Sequence, residues 1–346
     1  MRRYGRALVA AALAVSVAGG TAGRVSGEAR RAVTGPPPGS AAWRADTSLG
    51  RALPDPATAS PEQVARFFSE LTDHQKRSLV RRHPLVTGNL DGVPVTLRYA
   101  ANARALRAEH DPRYRRLAAP GHRILAFDPR GRGQVAEVYG DLERARRVSV
   151  VVPGSDIDAG TFDRTKDPYG APVGMAVALR DATAGRTAVI AWAGYTTPVG
   201  VGLDAATGDL AAAGAVRLAR FTRGLAAVGA ARPALFCHSY GSVVCGLAAH
   251  EVNATDIVVF GSPGMRAGSV GALRTEARVW AAKDPSDWIS RVPNVRFAGV
   301  GHGPDPAGPG FGARRVPAER AEGHTGYFAP GTDSLRTFAA IAEGEL

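Results

Sequence analysis

The hydrophobic positions change their period partway along the chain. Up to about residue 110 they recur at three- and four-residue intervals; from about 122 they gather into short runs bounded by glycine, proline and aspartate. The first regime predicts helices. Ser60-Pro61-Glu62-Gln63 opens one, with Ser60 as N-cap, Pro61 in the first turn and Gln63 completing a capping box. Val64, Phe67, Phe68 and Leu71 give it an apolar stripe. A second helix follows Thr72-Asp73, turns Leu79 and Val80 inward, and ends near His83-Pro84. After the turn Asn89-Leu90-Asp91-Gly92-Val93-Pro94 a third covers about 95–109. Residues 60–110 read as an N-terminal helical segment packed on the core that follows.

The second regime predicts strands alternating with helices. Arg123–Asp128 and Gln134–Tyr139 read as two strands joined at Gly131 and Gly133. Ser149–Val152, Ala188–Ala193, Pro233–Cys237 and Ile257–Phe260 are short apolar runs, with Val279–Ala282 and Val295–Val300 as late strands. Helices are expected over about 209–228, 241–251 and 333–343. Buried strands alternating with helices specify an α/β fold over 111–346, with a mainly parallel, doubly wound sheet.

Composition changes this picture mostly at the N-terminus. The chain has 346 residues and a formal charge of +12. Seven arginines against Glu28 and Asp46 put +5 in the first 50 residues, leaving +7 for the rest. Lys76, Lys166 and Lys283 are the only lysines, so the excess looks like a coding preference for arginine. No basic run interleaved with aromatics and no zinc-finger spacing is present, which argues against nucleic-acid binding. Arg2, Arg3 and Arg6 precede an apolar run from Ala7 to Gly20, followed by Thr21, Ala22 and Gly23. That is the order of a secretory signal, and the run is shorter than the ~20 residues of a membrane span. Residues 1–23 are read as a signal peptide, or as an uncleaved anchor, and the protein as secreted or cell-envelope associated. An arginine-rich surface would favour association with an anionic envelope. Residues 24–59, holding Pro36-Pro37-Pro38, read as a flexible linker or loose wrapping segment.

One segment carries the chemistry: Leu235-Phe236-Cys237-His238-Ser239-Tyr240-Gly241-Ser242. An apolar strand runs straight into Ser239, and a helix of small residues leaves at once. A serine on that turn lifts its hydroxyl above the sheet edge, at a helix N-terminus where backbone N–H groups favour developing negative charge. Cys237 stands where the G-x-S-x-G pattern has its first glycine. The chain resembles a family of α/β-hydrolases of largely unassigned function from high-GC bacteria. The resemblance covers about 60–330 and rests on Asn89–Pro94 with Ala100-Ala101-Asn102, His238-Ser239-Tyr240-Gly241-Ser242, Gly261-Ser262-Pro263-Gly264, Asp287-Trp288-Ile289, Gly301–Pro306, Phe311-Gly312-Ala313 and Gly323-His324. It implies an α/β-hydrolase fold and a serine-hydrolase site, without a substrate.

A serine nucleophile needs a base and an orienting carboxylate, in the chain order Ser, acid, His for this fold. His250 falls late in the helix after the serine, while His302 and His324 both lie in glycine-rich loops. His324, near the C-terminal helix, suits the base, with His302 as alternative. Asp284 and Asp287 both follow the strand ending at Ala282, and the resemblance favours Asp287. The oxyanion hole is assigned to the N–H groups of Tyr240 and of Ser155 or Gly154, since Pro153 has none. Tyr195 and Thr196 are candidate pocket residues. His302, Asp305 and His324 could hold a metal only on paper, as no metal-binding spacing supports them, and the reading calls for no cofactor and no metal. Cys237 and Cys245, on a strand and helix taken to lie ~10 Å apart, exceed the ~7 Å Cα limit for a bridge and are expected to be free thiols.

About 17 residues separate the strand ending at Phe260 from the next, too few for a large cap. An open site suits a small-molecule or lipid-like ester. The expected activity is a serine esterase working through an acyl-enzyme. A secreted serine peptidase and a non-catalytic scaffold binding an envelope partner are the alternatives.

Overall fold

The computed structural model describes residues 30–346. The signal or anchor read over 1–23, and the first residues of the linker, lie outside the described residues. The chain forms helices α1 (Ser40–Arg44), α2 (Pro61–Ser69), α3 (Asp73–Arg82), α4 (Pro84–Asn89) and α5 (Val95–Ala108) before its first strand. Then follow β1 (Ile124–Asp128), β2 (Gln134–Tyr139), β3 (Val148–Val152), α6 (Pro172–Ala182), β4 (Ala188–Ala193), α7 (Leu203–Ala206) and α8 (Asp209–Ala227). The remainder is β5 (Pro233–His238), α9 (Gly241–Ala248), β6 (Asp256–Phe260), α10 (Val270–Leu273), β7 (Arg278–Ala282), β8 (Arg296–Phe297), β9 (Val300–Gly301), β10 (Arg314–Val316) and α11 (Asp333–Glu343).

Eight strands form one sheet in the order β1-β2-β4-β3-β5-β6-β7-β10. β1, β2 and β4 pair antiparallel; from β4 to β10 every pairing is parallel. Side chains alternate between two apolar layers, as the two-residue strand period requires. Val150, Val152, Leu235, Ile257 and Val259 face one layer with Leu218 of α8 and Val244 of α9. Val151, Phe236, Val258 and Phe260 face the other, with Met175 of α6 and Phe338 of α11. Burial on both faces explains why these strands read as unbroken apolar runs.

The N-terminal helices have a separate core built on Val64, Phe68, Leu79, Val86 and Leu90. Both predicted helix starts carry complete capping boxes, Ser60 with Gln63 and Thr72 with Gln75. The segment is fastened to the core by buried polar contacts. Asn102 Nδ2 donates to Gly88 O and to Ile124 O at the start of β1, both 3.0 Å away. Asp91 accepts from Arg98 at 3.0 Å and lies 3.6 Å from Arg220 of α8.

Two readings need correction. From Arg30 onward, the segment read as a flexible linker or loose wrapping segment is a wrapping segment, largely exposed and held at a few buried residues. Trp43 is wholly buried in the helical core, and its indole N–H donates to Pro54 O at 2.7 Å. The strand expected over Val295–Val300 is instead an exposed hairpin, β8 and β9, turning at Ala298 and Gly299, both at positive φ. The eighth strand of the main sheet is Arg314-Arg315-Val316. It lies at the sheet edge, where charged side chains are the rule and apolar patterning fails.

Candidate active site

β5 delivers Ser239 and α9 departs two residues later. Ser239 takes φ +51°, the left-handed conformation of a tight strand-to-helix elbow. Its N–H donates to Phe260 O of β6 at 3.0 Å, and its carbonyl accepts from Ser242 N at 2.9 Å. The turn is closely surrounded by backbone. A Cβ on Gly241 would lie 2.5 Å from Val152 O, and one on Gly154 would lie 2.6 Å from the Ser239 Cβ. Glycine at both positions lets β3 and its following loop press against the elbow.

The structure brings Ser239, His324 and Asp287 into one hydrogen-bonded line. Ser239 Oγ and His324 Nε2 are 2.9 Å apart, and His324 Nδ1 lies 2.8 and 3.0 Å from the two Asp287 oxygens. The ionised Asp287 accepts from Nδ1–H, which leaves Nε2 free to accept from the serine hydroxyl. Burial opposes charge on Asp287, but hydrogen bonds from His324, the Ile289 N–H and the Tyr327 hydroxyl hold its carboxyl below the usual value. Tyr327 Oη donates to Asp287 Oδ2 at 2.7 Å and accepts from Asp284 N at 3.0 Å.

The alternatives have other partners. Asp284 accepts from the backbone of Ser286 and of Ala321, and from the Ser286 hydroxyl, pinning the loop beneath the histidine to the end of β7. His302 is buried, and its Nε2–H donates to Ala205 O at 2.7 Å while its ring packs edge-on against Tyr240. Burial lowers its pKa. His250 is half-exposed beside Glu251. Asp305 pairs with Lys283, so neither it nor His302 joins His324.

The N–H groups of Gly154, Ser155 and Tyr240 meet no acceptor among the described residues. Tyr195 holds their loop from below, its hydroxyl donating to Pro153 O at 2.8 Å. Thr196 instead accepts from Val33 N at 2.9 Å, fastening the chain's early residues to the core.

Three residues at the site escaped the sequence reading. Tyr327 braces both aspartates, and Trp288, partly exposed, lies with its ring 4.6 Å from that of His324. His238, immediately before the serine, is buried, and its Nε2–H donates to His324 O at 2.8 Å. Burial, and then the neighbouring His324, push its pKa down from 6.5 to about 3. The only local signal was its place in the elbow, where a side chain alternating with Cys237 must face the opposite layer.

The unfolded chain protonates His238 near its ordinary value while the folded one resists. Between those values the unfolded state binds more protons, so the contribution of His238 is complete above pH 6.5 and declines as pH falls toward 3. His238→Gln keeps a donor for His324 O and is expected to flatten the fall of the urea midpoint between pH 7 and pH 4. Parallel curves for variant and wild type would show that other groups carry the acid sensitivity.

The cysteines overturn the free-thiol reading. Cys237 and Cys245 form a disulfide with Cα atoms 6.5 Å apart. The ~10 Å used for the sequence estimate is an axis-to-axis figure. A Cα on the facing side of a helix stands ~2.3 Å closer than the axis, and at an elbow strand and helix have barely diverged.

A family model described as alpha/beta hydrolase matches residues 128–297. The sheet order and the elbow agree with it, and the chain has the α/β-hydrolase fold. Two uncharacterized proteins of Mycobacterium tuberculosis, from strains CDC 1551 and H37Rv, are each 29% identical over an alignment 375 positions long. The match covers 84% of this chain and 57% of each relative, so the chain spans little more than half their length. Among solved structures, the esterase PE8 is similar at 16% identity and TM-score 0.39, over 60% of this chain and 97% of that one. An α/β serine hydrolase without lid from Xanthomonas campestris is similar at 16% identity and TM-score 0.37, over 62% and 89%.

Proposed function

We propose that the protein is a serine hydrolase that cleaves a carboxylic ester through an acyl-enzyme. The observation that carries this reading is the Ser239–His324–Asp287 line on a left-handed elbow. Ser239 Oγ attacks the ester carbonyl as His324 Nε2 takes its proton. The oxyanion forms against the N–H groups of Tyr240 and of Ser155 or Gly154. Collapse breaks the bond to the alcohol, which leaves with the proton from His324. Water, deprotonated by the same nitrogen, then attacks the acyl-serine, and the proton returns to Ser239 as the acid leaves. Asp287 stays ionised throughout and stabilises the imidazolium. No cofactor or metal takes part.

A fluorophosphonate probe is expected to label the wild type and not Ser239→Ala. A panel of p-nitrophenyl esters of increasing chain length, run beside peptide anilides, separates esterase from peptidase. Faster anilide than ester turnover would favour the peptidase. No labelling together with no turnover by pure, folded protein would sink the enzymatic reading and leave a binding scaffold.

A further inference from the structure

Among the described residues, most of the exposed large apolar side chains fall in two loops, while Val177, Val216 and Leu346 lie elsewhere. The loop after β4 presents Val199, Val201 and Leu203. The segment between β7 and β10 presents Val295, Phe297 and Val300, with Phe297 69% exposed. Both loops leave the carboxyl ends of parallel strands, the edge from which Ser239 projects. Trp288 joins the second loop to the His324 ring.

These tips are held in place. His302 ties the base of the hairpin to α7 through Ala205 O, and Arg266 donates to Gly299 O at 3.0 Å. On the other side, Asp156 Oδ1 accepts from Gly200 N at 2.8 Å, and Tyr240 Oη donates to Thr207 O at 2.9 Å. The elbow residue Tyr240 and the loop after β3 therefore carry the apolar tips directly. Holding apolar side chains in water on braced loops gains nothing for the isolated fold, which points to something outside it that covers them.

The shape and charge select the occupant. Residues 295–300 are all exposed, in a two-stranded hairpin that is separate from the main sheet. Segment 291–301 contains Arg291 and Arg296, both exposed, and no acidic residue. Exposed apolar side chains flanked by arginines match a fluid, anionic boundary, where apolar side chains enter the acyl region and arginines meet the headgroups. We propose that the protein docks on an anionic lipid surface through the 293–301 hairpin, with the 199–203 loop beside it, presenting Ser239 to lipid-borne esters. The substrate class rests on the hydrolase reading above; the docking does not.

The test places an environment-sensitive nitrobenzoxadiazole fluorophore on Phe297→Cys, under non-reducing conditions that leave the native bridge intact. A control carries it on Glu251→Cys, exposed in the turn before β6 at the opposite sheet edge. With phosphatidylglycerol vesicles, emission from position 297 is expected to shift to the blue and rise several-fold, while position 251 stays unchanged. The local probe separates this hairpin from any other lipid-seeking part of the chain. An unchanged signal at 297, an equal response at 251, or an equal response to phosphatidylcholine vesicles would each overturn the proposal. Fluorophosphonate labelling of the same samples is read separately. Vesicle insertion with neither labelling nor ester turnover would refute the hydrolase and keep the docking, and labelling without insertion the reverse.

Discussion

Ser239→Ala is expected to lower kcat on any ester the protein cleaves by about five to six orders of magnitude, and His324→Ala by a similar factor. The double variant should lose no more than either single one, because a nucleophile without its base and a base without its nucleophile are equally idle. Asp287→Asn should cost about 10⁴-fold. The amide would remove the negative charge and could turn its NH₂ toward Nδ1, favouring the tautomer with its proton on Nε2, where the serine needs an acceptor. Asp284→Asn and His302→Ala make the informative contrast. Asp284 is occupied by backbone N–H groups and His302 by Ala205 O. Their variants should lose thermal stability and retain turnover within about a hundredfold of wild type. Single-turnover kinetics on a p-nitrophenyl ester, with melting curves on the same preparations, read both effects. Equal losses at 284 and 287 would reassign the acid, and a larger loss at 302 than at 324 would reassign the base.

The second large effect belongs to the cysteines. Cys237 and Cys245 are eight residues apart, and a bridge closing so short a loop contributes about 2–3 kcal/mol in the chain-entropy account. Cys237→Ala/Cys245→Ala is expected to lower Tm by roughly 3–5 °C. The bridge ties the last turn of β5 to α9 on either side of Ser239, so kcat should fall as well. Both sulfurs are buried, so thiol reagents should act only as fast as the fold opens. A variant melting with the wild type would show that packing alone holds the elbow.

Much of the fold was legible because central strands are buried on both faces. Val150-Val151-Val152 and Leu235-Phe236-Cys237 need no alternation, and apolar runs of that length between glycines have few other uses. Capping at Ser60 was legible because all its atoms come from four consecutive residues. What depended on remote partners was hidden. Arg314-Arg315-Val316 is a strand only because β7 lies beside it. Trp43 is a core residue only because α2–α4 arrive to cover it. At the site, chain order narrowed the choice to Ser239, to Asp284 or Asp287, and to His302 or His324, with the resemblance favouring Asp287 and nearness to the C-terminal helix favouring His324. The supports could not be singled out, since Tyr327 acts on Asp287 across forty residues and His238 on His324 across eighty-six.

The crowding at Gly154 and Gly241 has a consequence for how the protein can change over generations. With a new Cβ at either place landing within 2.6 Å of its neighbours, nearly every mutation there is a loss, and selection can only purge it. The 199–203 and 293–301 loops face water, and their exposed side chains can be exchanged without disturbing the elbow. Heritable variation in what the protein accepts therefore has to accumulate on its rim, while the ground beneath Ser239 stays fixed.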